Sequence, residues 1–175
     1  MSQPDTTSPP GGGESMGWES LALAAVDRHV DEEMCLLRDL LTFTLDGDSY
    51  AIPVEWVREI VRPRAITPMP RVPPEIRGVI SLRGEIVQVL DLCRHLGIRT
   101  REPARSSRIV VLHGDPGSVT GLLVDSVKEV LRVAEEAIQP SPSGNSDSVE
   151  ALCRQEEEFI SLLSLNRVLD IAGNS

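Results

Sequence analysis

Aromatic side chains are nearly missing from this 175-residue chain, at 3% of its residues. Trp18, Phe43, Tyr50, Trp56 and Phe159 are too few and too scattered to stack successive bases, which excludes a single-strand nucleic-acid platform. Positive charge is scarce too: 17 Lys and Arg stand against 27 Asp and Glu, for a formal net charge of -10. Phosphate neutralisation needs clustered cations, so non-specific nucleic-acid binding is excluded as well. Apolar runs last only a few residues, and none is a membrane span. Residues 1–17, rich in Ser, Thr, Pro and Gly, have neither the basic start nor the apolar stretch of a secretory signal. The three cysteines, Cys35, Cys93 and Cys153, are odd in number and share no metal-ligand spacing. Each reads as a small buried hydrophobe in a reducing compartment.

Catalytic patterns are absent in the same way. His29, His95 and His113 fall in separate elements, without the i, i+4 or HxH spacing of a metal site. There is no phosphate-binding glycine loop and no nucleophile elbow. No metal and no cofactor are expected. A small hydrolase is the enzyme alternative; it needs a nucleophile and base within about 3 Å, and no such set is legible.

What is present is a strand-rich chain behind a polar leader. Residues 1–17 contain Pro9-Pro10-Gly11-Gly12-Gly13 and read as a disordered tail. Over 18–39, Leu23, Val26, Val30, Met34 and Leu37 recur at helical intervals and predict an amphipathic helix. Its apolar stripe serves equally a helix packed on its own domain and one that docks a partner or a second copy. From about Leu40 the pattern becomes extended: Leu41–Leu45 reads as a strand, Asp46-Gly47-Asp48 as a turn, and Tyr50–Val54 as the next strand. Val54–Val61 switches period and predicts a short helix. Pro63, Pro68, Pro70, Pro73 and Pro74 stiffen the loop that follows. Val79–Leu82 and Ile86–Val89 with Leu90, joined at Arg83-Gly84-Glu85, form a hairpin. Asp91 caps a short helix that runs to Leu96 and ends at Gly97. Ile109–Leu112 restarts the strands after a polar linker.

The chain repeats itself. Val54-Glu55-Trp56-Val57-Arg58-Glu59-Ile60-Val61-Arg62 is answered 70 residues later by Val124-Asp125-Ser126-Val127-Lys128-Glu129-Val130-Leu131-Arg132. Val87–Leu96 is answered 73 residues later by Ile160–Leu169. A period this long means two similar subdomains, about 40–105 and 106–171, rather than a solenoid. Neither half buries enough apolar surface alone, so the two are expected to share a core, each a small sheet curled closed. The second copy has lost Gly78, Arg83 and Gly84 of the first hairpin; Ala151, Glu156 and Glu157 stand there instead. Recognition work by that hairpin therefore belongs to the first copy. Arg58, Arg62, Arg64, Arg71, Arg77 and Arg83 also gather there, in a chain that is acidic overall. An arginine at a tight turn is well placed to fork onto a partner's carboxylate or carbonyls.

Gly78–Val87 with Asp91-Leu92, preceded by Tyr50–Val54 and Val57-Arg58-Glu59-Ile60, resembles the CheW family of bacterial chemotaxis coupling proteins. Gly121–Val130 is similar to the family's second signature, and Leu163–Leu169 to its closing strand and helix. The resemblance covers about residues 40–171. It implies an all-β fold of two packed five-stranded SH3-like β-barrel subdomains with short helices, to which the helix 18–39 is an addition. It implies a non-enzymatic adaptor linking the cytoplasmic tips of chemoreceptors to the regulatory domain of a CheA-type histidine kinase, with other CheW-like proteins as further partners. Its expected place is cytoplasmic, at membrane-associated receptor arrays, without membrane insertion. Val57, Glu59, Arg77, Gly78 and Arg83 match positions associated with receptor and kinase coupling, and Gly121 a position near the groove between subdomains. A regulatory homologue that binds receptors without activating the kinase is the alternative. The chain departs from the family at Gln88, where proline is usual, and across Ala151–Glu158.

Overall fold

A computed structural model describes residues 36–142 and 147–173. The tail 1–17 and nearly all of the expected helix 18–39 lie outside them; at its end, Leu37–Asp39 already belong to the first strand. Eleven strands follow in chain order: β1 Leu37–Leu45, β2 Asp48–Pro53, β3 Val57–Val61, β4 Ile76–Leu82, β5 Glu85–Asp91, β6 Arg108–Leu112, β7 Val119–Val124, β8 Ser126–Ala134, β9 Ile138–Pro140, β10 Val149–Gln155 and β11 Glu158–Leu163. Two helices, α1 Leu92–His95 and α2 Leu165–Gly173, each follow the last strand of a repeat.

The strands make two sheets. One has six in the order β8-β1-β2-β11-β10-β9, the other five in the order β3-β6-β7-β5-β4. The repeats thus exchange hairpins: β1 and β2 of the first copy sit in the sheet of β8–β11, while β6 and β7 of the second sit with β3–β5. Register preserves the repeat. Ala51 faces Leu162 across the parallel β2·β11 pair, and Gly121 faces Val89 across the parallel β7·β5 pair. The boundary near residue 105 therefore separates the copies in sequence and not the sheets in space.

The expectation of two closed SH3-like barrels is overturned. Among the described residues β8 does not pair with β9, nor β3 with β4, so both sheets stay open. Each sheet nevertheless curves, as its buried residues require. Ile80, Leu82, Val87, Val89, Ile109, Val111, Val119 and Leu123 form a cluster contributed by the five-stranded sheet alone. Leu40, Ala51, Val133, Ala151, Cys153, Ile160 and Leu162 do the same in the six-stranded sheet. Residues on one face of one sheet cover each other only if that sheet bends around them. What spans the open side is side chains rather than a ladder of backbone hydrogen bonds. Arg58 on β3 pairs with Glu85 at 2.8 Å, and Lys128 on β8 with Glu158 at 3.3 Å. Charged residues on these outer strands also discourage further strand addition.

Strand residues point alternately to opposite faces, so the second face of each sheet meets the other sheet. Phe43, Leu45, Ile52, Leu90, Val110, Leu112, Leu122, Val124 and Leu163 make this shared core, closed by Leu92 of α1 and Val168 of α2. β6, buried on both sides, reads as a continuous aliphatic run from Ile109 to Leu112 for that reason. The buried thiols fit the sequence reading of Cys93 and Cys153. Burial, followed by the carboxylates of Asp125, Asp91 and Asp46, pushes the Cys93 thiol up to about 12. Such a thiol is inert at neutral pH.

The helix expected over Val54–Val61 is a single 3-10 turn, Val54–Trp56, followed by strand β3. Tertiary pairing overrides the helical spacing: Val57, Glu59, Ile60 and Val61 find an antiparallel partner in β6. The hairpin of β4 and β5 and the Asp91 cap on α1 form as the sequence predicts, with Arg94 N–H donating to Asp91 Oδ1 at 3.2 Å.

Candidate protein-docking face

The turn between β4 and β5 holds Arg83 at φ 52° and Gly84 at φ 80°. Left-handed backbone at two successive residues makes the tightest hairpin corner, and glycine takes the second place without a Cβ penalty. This fixes where Arg83 points. Its side chain is 78% exposed, yet Nη2 rests 3.2 Å from Glu59 Oε2 on β3. Glu59, only 17% exposed, also lies 3.6 Å from Arg58 Nη2, and Arg58 donates on to Glu85. Hydrogen bonding to Glu85 raises the Arg58 pKa above its ordinary value, against the opposing cost of burial. The result is an alternating chain Arg83–Glu59–Arg58–Glu85 across the open side of the sheet. Beside it stand two exposed aliphatics, Ile60 and Ile86. An oriented guanidinium with apolar neighbours can fork onto a carboxylate or backbone carbonyls while the aliphatics lose water.

The structure gathers some of the residues expected at the site and separates others. Glu59 and Arg83 meet, and Val57 stands two residues from Glu59, half-buried against the shared core. Arg77 is elsewhere and turned inward: Nε donates to Asp91 Oδ2 at 2.9 Å, Nη2 donates to the Arg101 carbonyl, and its side chain is 12% exposed. It satisfies a carboxylate buried at the start of α1. Gly78, at φ 142°, permits a close backbone crossing: a Cβ there would lie 2.1 Å from the Thr67 carbonyl oxygen. Thr67 and Val79 exchange two backbone hydrogen bonds of 2.9 Å at that crossing. Gly121 is buried in the five-stranded sheet, where a Cβ would meet Ile109 Cγ2 at 2.5 Å. Sequence reasoning left Arg58, Glu85, Ile60 and Ile86 out of the site. The signal available was the alternation of charge and aliphatic on either side of Glu59 and of the turn.

The same corner exists in the six-stranded sheet with other chemistry. Glu156, at φ 53°, turns the β10–β11 hairpin. Glu129, Glu156, Glu157 and Glu158 line a shallow hollow there, with Phe159 and Val130 exposed nearby. Ser49 donates to Glu158, and Lys128 adds a second hydrogen bond; together they hold that carboxyl below its ordinary range. No metal-ligating cluster occurs among the described residues. No helix among them is long and apolar enough to cross a membrane.

Comparison with known proteins gives a consistent result. The model of the CheW-like domain matches residues 39–172. The chain is 33% identical over 135 residues to the chemotaxis protein CheW of Rhizobium meliloti, covering 75% of this chain and 86% of that protein. The same figures hold for the chemotaxis protein CheW of Bacillus subtilis. Protein FrzA of Myxococcus xanthus is 33% identical over 157 residues, covering 86% of this chain and 92% of that one. Among solved structures, the scaffolding protein TtCheW from Thermoanaerobacter tengcongensis superposes with a TM-score of 0.68 at 32% identity, over 74% of this chain and 86% of that chain.

Proposed function

Since the chain belongs to the CheW-like domain family and is a chemotaxis adaptor rather than an enzyme, coupling chemoreceptors to a CheA-type kinase, we propose that the β4–β5 corner is where it holds its partners. The observation that carries this reading is the Arg83–Glu59 pair. Arg83 is oriented by a nearly buried carboxylate, yet most of its surface remains open to a partner. Pre-orientation lowers the entropy lost on docking, and the flanking Ile60 and Ile86 provide apolar area that becomes dry on contact. The cytoplasmic tips of receptors and the kinase's regulatory domain are the partners assigned to this face. Its place in the cell is then the cytoplasmic receptor array. Val57 acts by seating β3 against the core, and Arg77, Gly78 and Gly121 act by shaping the scaffold behind the face.

The test is capture of candidate receptors and kinases by the full chain, followed by a kinase assay with and without it. Capture with stimulated phosphorylation, both lost in Arg83→Ala, supports the reading. Unchanged capture by Arg83→Ala overturns it. A second reading has one observation in its favour: Glu156 reverses the charge of Arg83 at the equivalent corner. An adaptor whose second corner has changed partners would bind receptors through Arg83 and leave kinase activity unmoved.

A further inference from the structure

An open cleft of about 670 Å3 lies where the chain leaves β3 and where it approaches β6. Arg62, Pro63, Arg64, Pro103, Ala104 and Arg105 line it. The topology brings them together. β3 and β6 pair antiparallel with Val61 opposite Ile109, so the residues after one and before the other emerge at the same end. The Thr67–Val79 bridge, which Gly78 makes room for, ties the 62–67 segment against β4, and Arg64 Nη1 lies 3.4 Å from the Ser81 carbonyl.

The lining is unusual in charge. Three arginines share it with no carboxylate, in a chain of net charge -10. Among the described residues, neither Arg62 nor Arg105 has an ion-pair partner for its guanidinium, unlike Arg58, Arg77 and Arg83. An exposed guanidinium repels its own kind, so three of them around one cleft favour an incoming anion. The walls between them are proline and alanine, with no aromatic surface on which a nucleobase would stack. Arg62 and Arg64 are two residues apart, so their Cα atoms are separated by at most about 7 Å. Alternate side chains on one face of an extended peptide have that same spacing. The apolar walls suit the methylene stems of glutamates whose carboxylates reach the guanidinium forks.

We propose that this cleft docks an extended acidic segment of a partner protein, with carboxylates at alternate positions on Arg62 and Arg64 and a further contact to Arg105. The inference stands apart from the Arg83 reading, since it uses none of that corner's residues.

A fluorescein-labelled peptide of alternating glutamate and alanine, titrated against the full chain by anisotropy, tests it. Saturable, salt-sensitive binding is expected, weakened by about tenfold or more in the Arg62→Gln, Arg105→Gln double variant and partly in each single variant. Arg154→Gln, an exposed arginine on β10, should bind as the parent does. No saturable binding at low salt overturns the proposal, and so does an equal loss in Arg154→Gln. Loss in Arg83→Ala with binding kept in the Arg62→Gln, Arg105→Gln double variant places the peptide at the β4–β5 corner and overturns the proposal. Displacement of the peptide by pyrophosphate at concentrations below those of unlabelled peptide overturns it in favour of a phosphate site.

Discussion

Arg83 and Glu156 occupy the same corner of two equivalent hairpins, at φ 52° and 53°, and carry opposite charges. Behind each corner the arrangement is otherwise preserved: Arg58 meets Glu85 in one sheet and Lys128 meets Glu158 in the other. Only the third partner has changed its meaning. Glu59 faces an arginine, whereas Glu129 shares its hollow with glutamates. Duplication kept the frame, and divergence of the turn from Arg83-Gly84 to Glu156-Glu157 made the two ends chemically distinct.

Glu156→Arg should therefore rebuild the missing pair with Glu129. The expected gain in unfolding free energy is that of an exposed ion pair, about 0.2–1 kcal/mol, read as a higher urea midpoint that shrinks in high salt. An unchanged midpoint at low salt would mean that the two corners differ in more than charge.

Arg83 and Arg77 should fail in opposite assays. Arg83→Ala removes an exposed pair and should cost the fold under about 1 kcal/mol, while weakening partner binding by about 2–5 kcal/mol where the arginine becomes buried in the interface. Arg77→Ala leaves Asp91 buried without its main counter-charge. Loss of one partner of a buried pair costs about 3–5 kcal/mol, moderated here by Arg94, whose Nε lies 3.7 Å away. Urea unfolding beside a binding titration separates the two, and a stable Arg77→Ala protein would contradict the structural role.

Gly121→Ala should destabilise by overpacking, by about 1–3 kcal/mol, because its Cβ would be driven against Ile109 and Val87 inside a two-sided core. Gly78→Ala should act on a different element. Its Cβ would strike the Thr67 carbonyl, so the 62–67 segment should detach from β4. Hydrogen exchange at Thr67 and Val79 N–H should speed up, while the β6 amides stay protected.

His95 should make stability depend on pH. Its Nε2 lies 2.7 Å from Ser148 Oγ, while Nδ1 is buried without a partner. Burial lowers the folded pKa from 6.5, with Glu75 working the other way. A second ring N–H would have no acceptor there. The unfolded chain thus binds the proton more readily, so this contribution is present above the unfolded pKa and is lost as pH falls below it. Carboxylates such as Glu158 titrate lower still and leave the window from about pH 7.5 to 5.5 to histidine. Urea midpoints should fall across that window, and His95→Gln should flatten the change.

Much of this was legible along the chain. The hairpin of β4 and β5 showed in its alternation and in the Arg-Gly corner, the cap in Asp91, and the duplication in matched charges as well as matched aliphatics. The candidate site was half legible: Arg83 showed in its turn and Glu59 in the family resemblance, but their partners Arg58 and Glu85 are ordinary surface charges until the sheet bends. Arg77 was expected at the site only through the family resemblance, six residues before Arg83. It stands at the opposite end of β4 from that turn and reaches Asp91 instead.

The amino-acid order by itself determined the short-range features, since turns, caps and alternation depend on neighbours a few residues away, and it determined that there are two copies. Only the tertiary structure decided which copy lends its hairpin to which sheet, that both sheets remain open, and that Val54–Val61 ends as a strand. Those outcomes rest on pairing between residues far apart in the chain, such as Gly121 with Val89, whose hydrogen bonds and burial outweigh what either segment prefers alone.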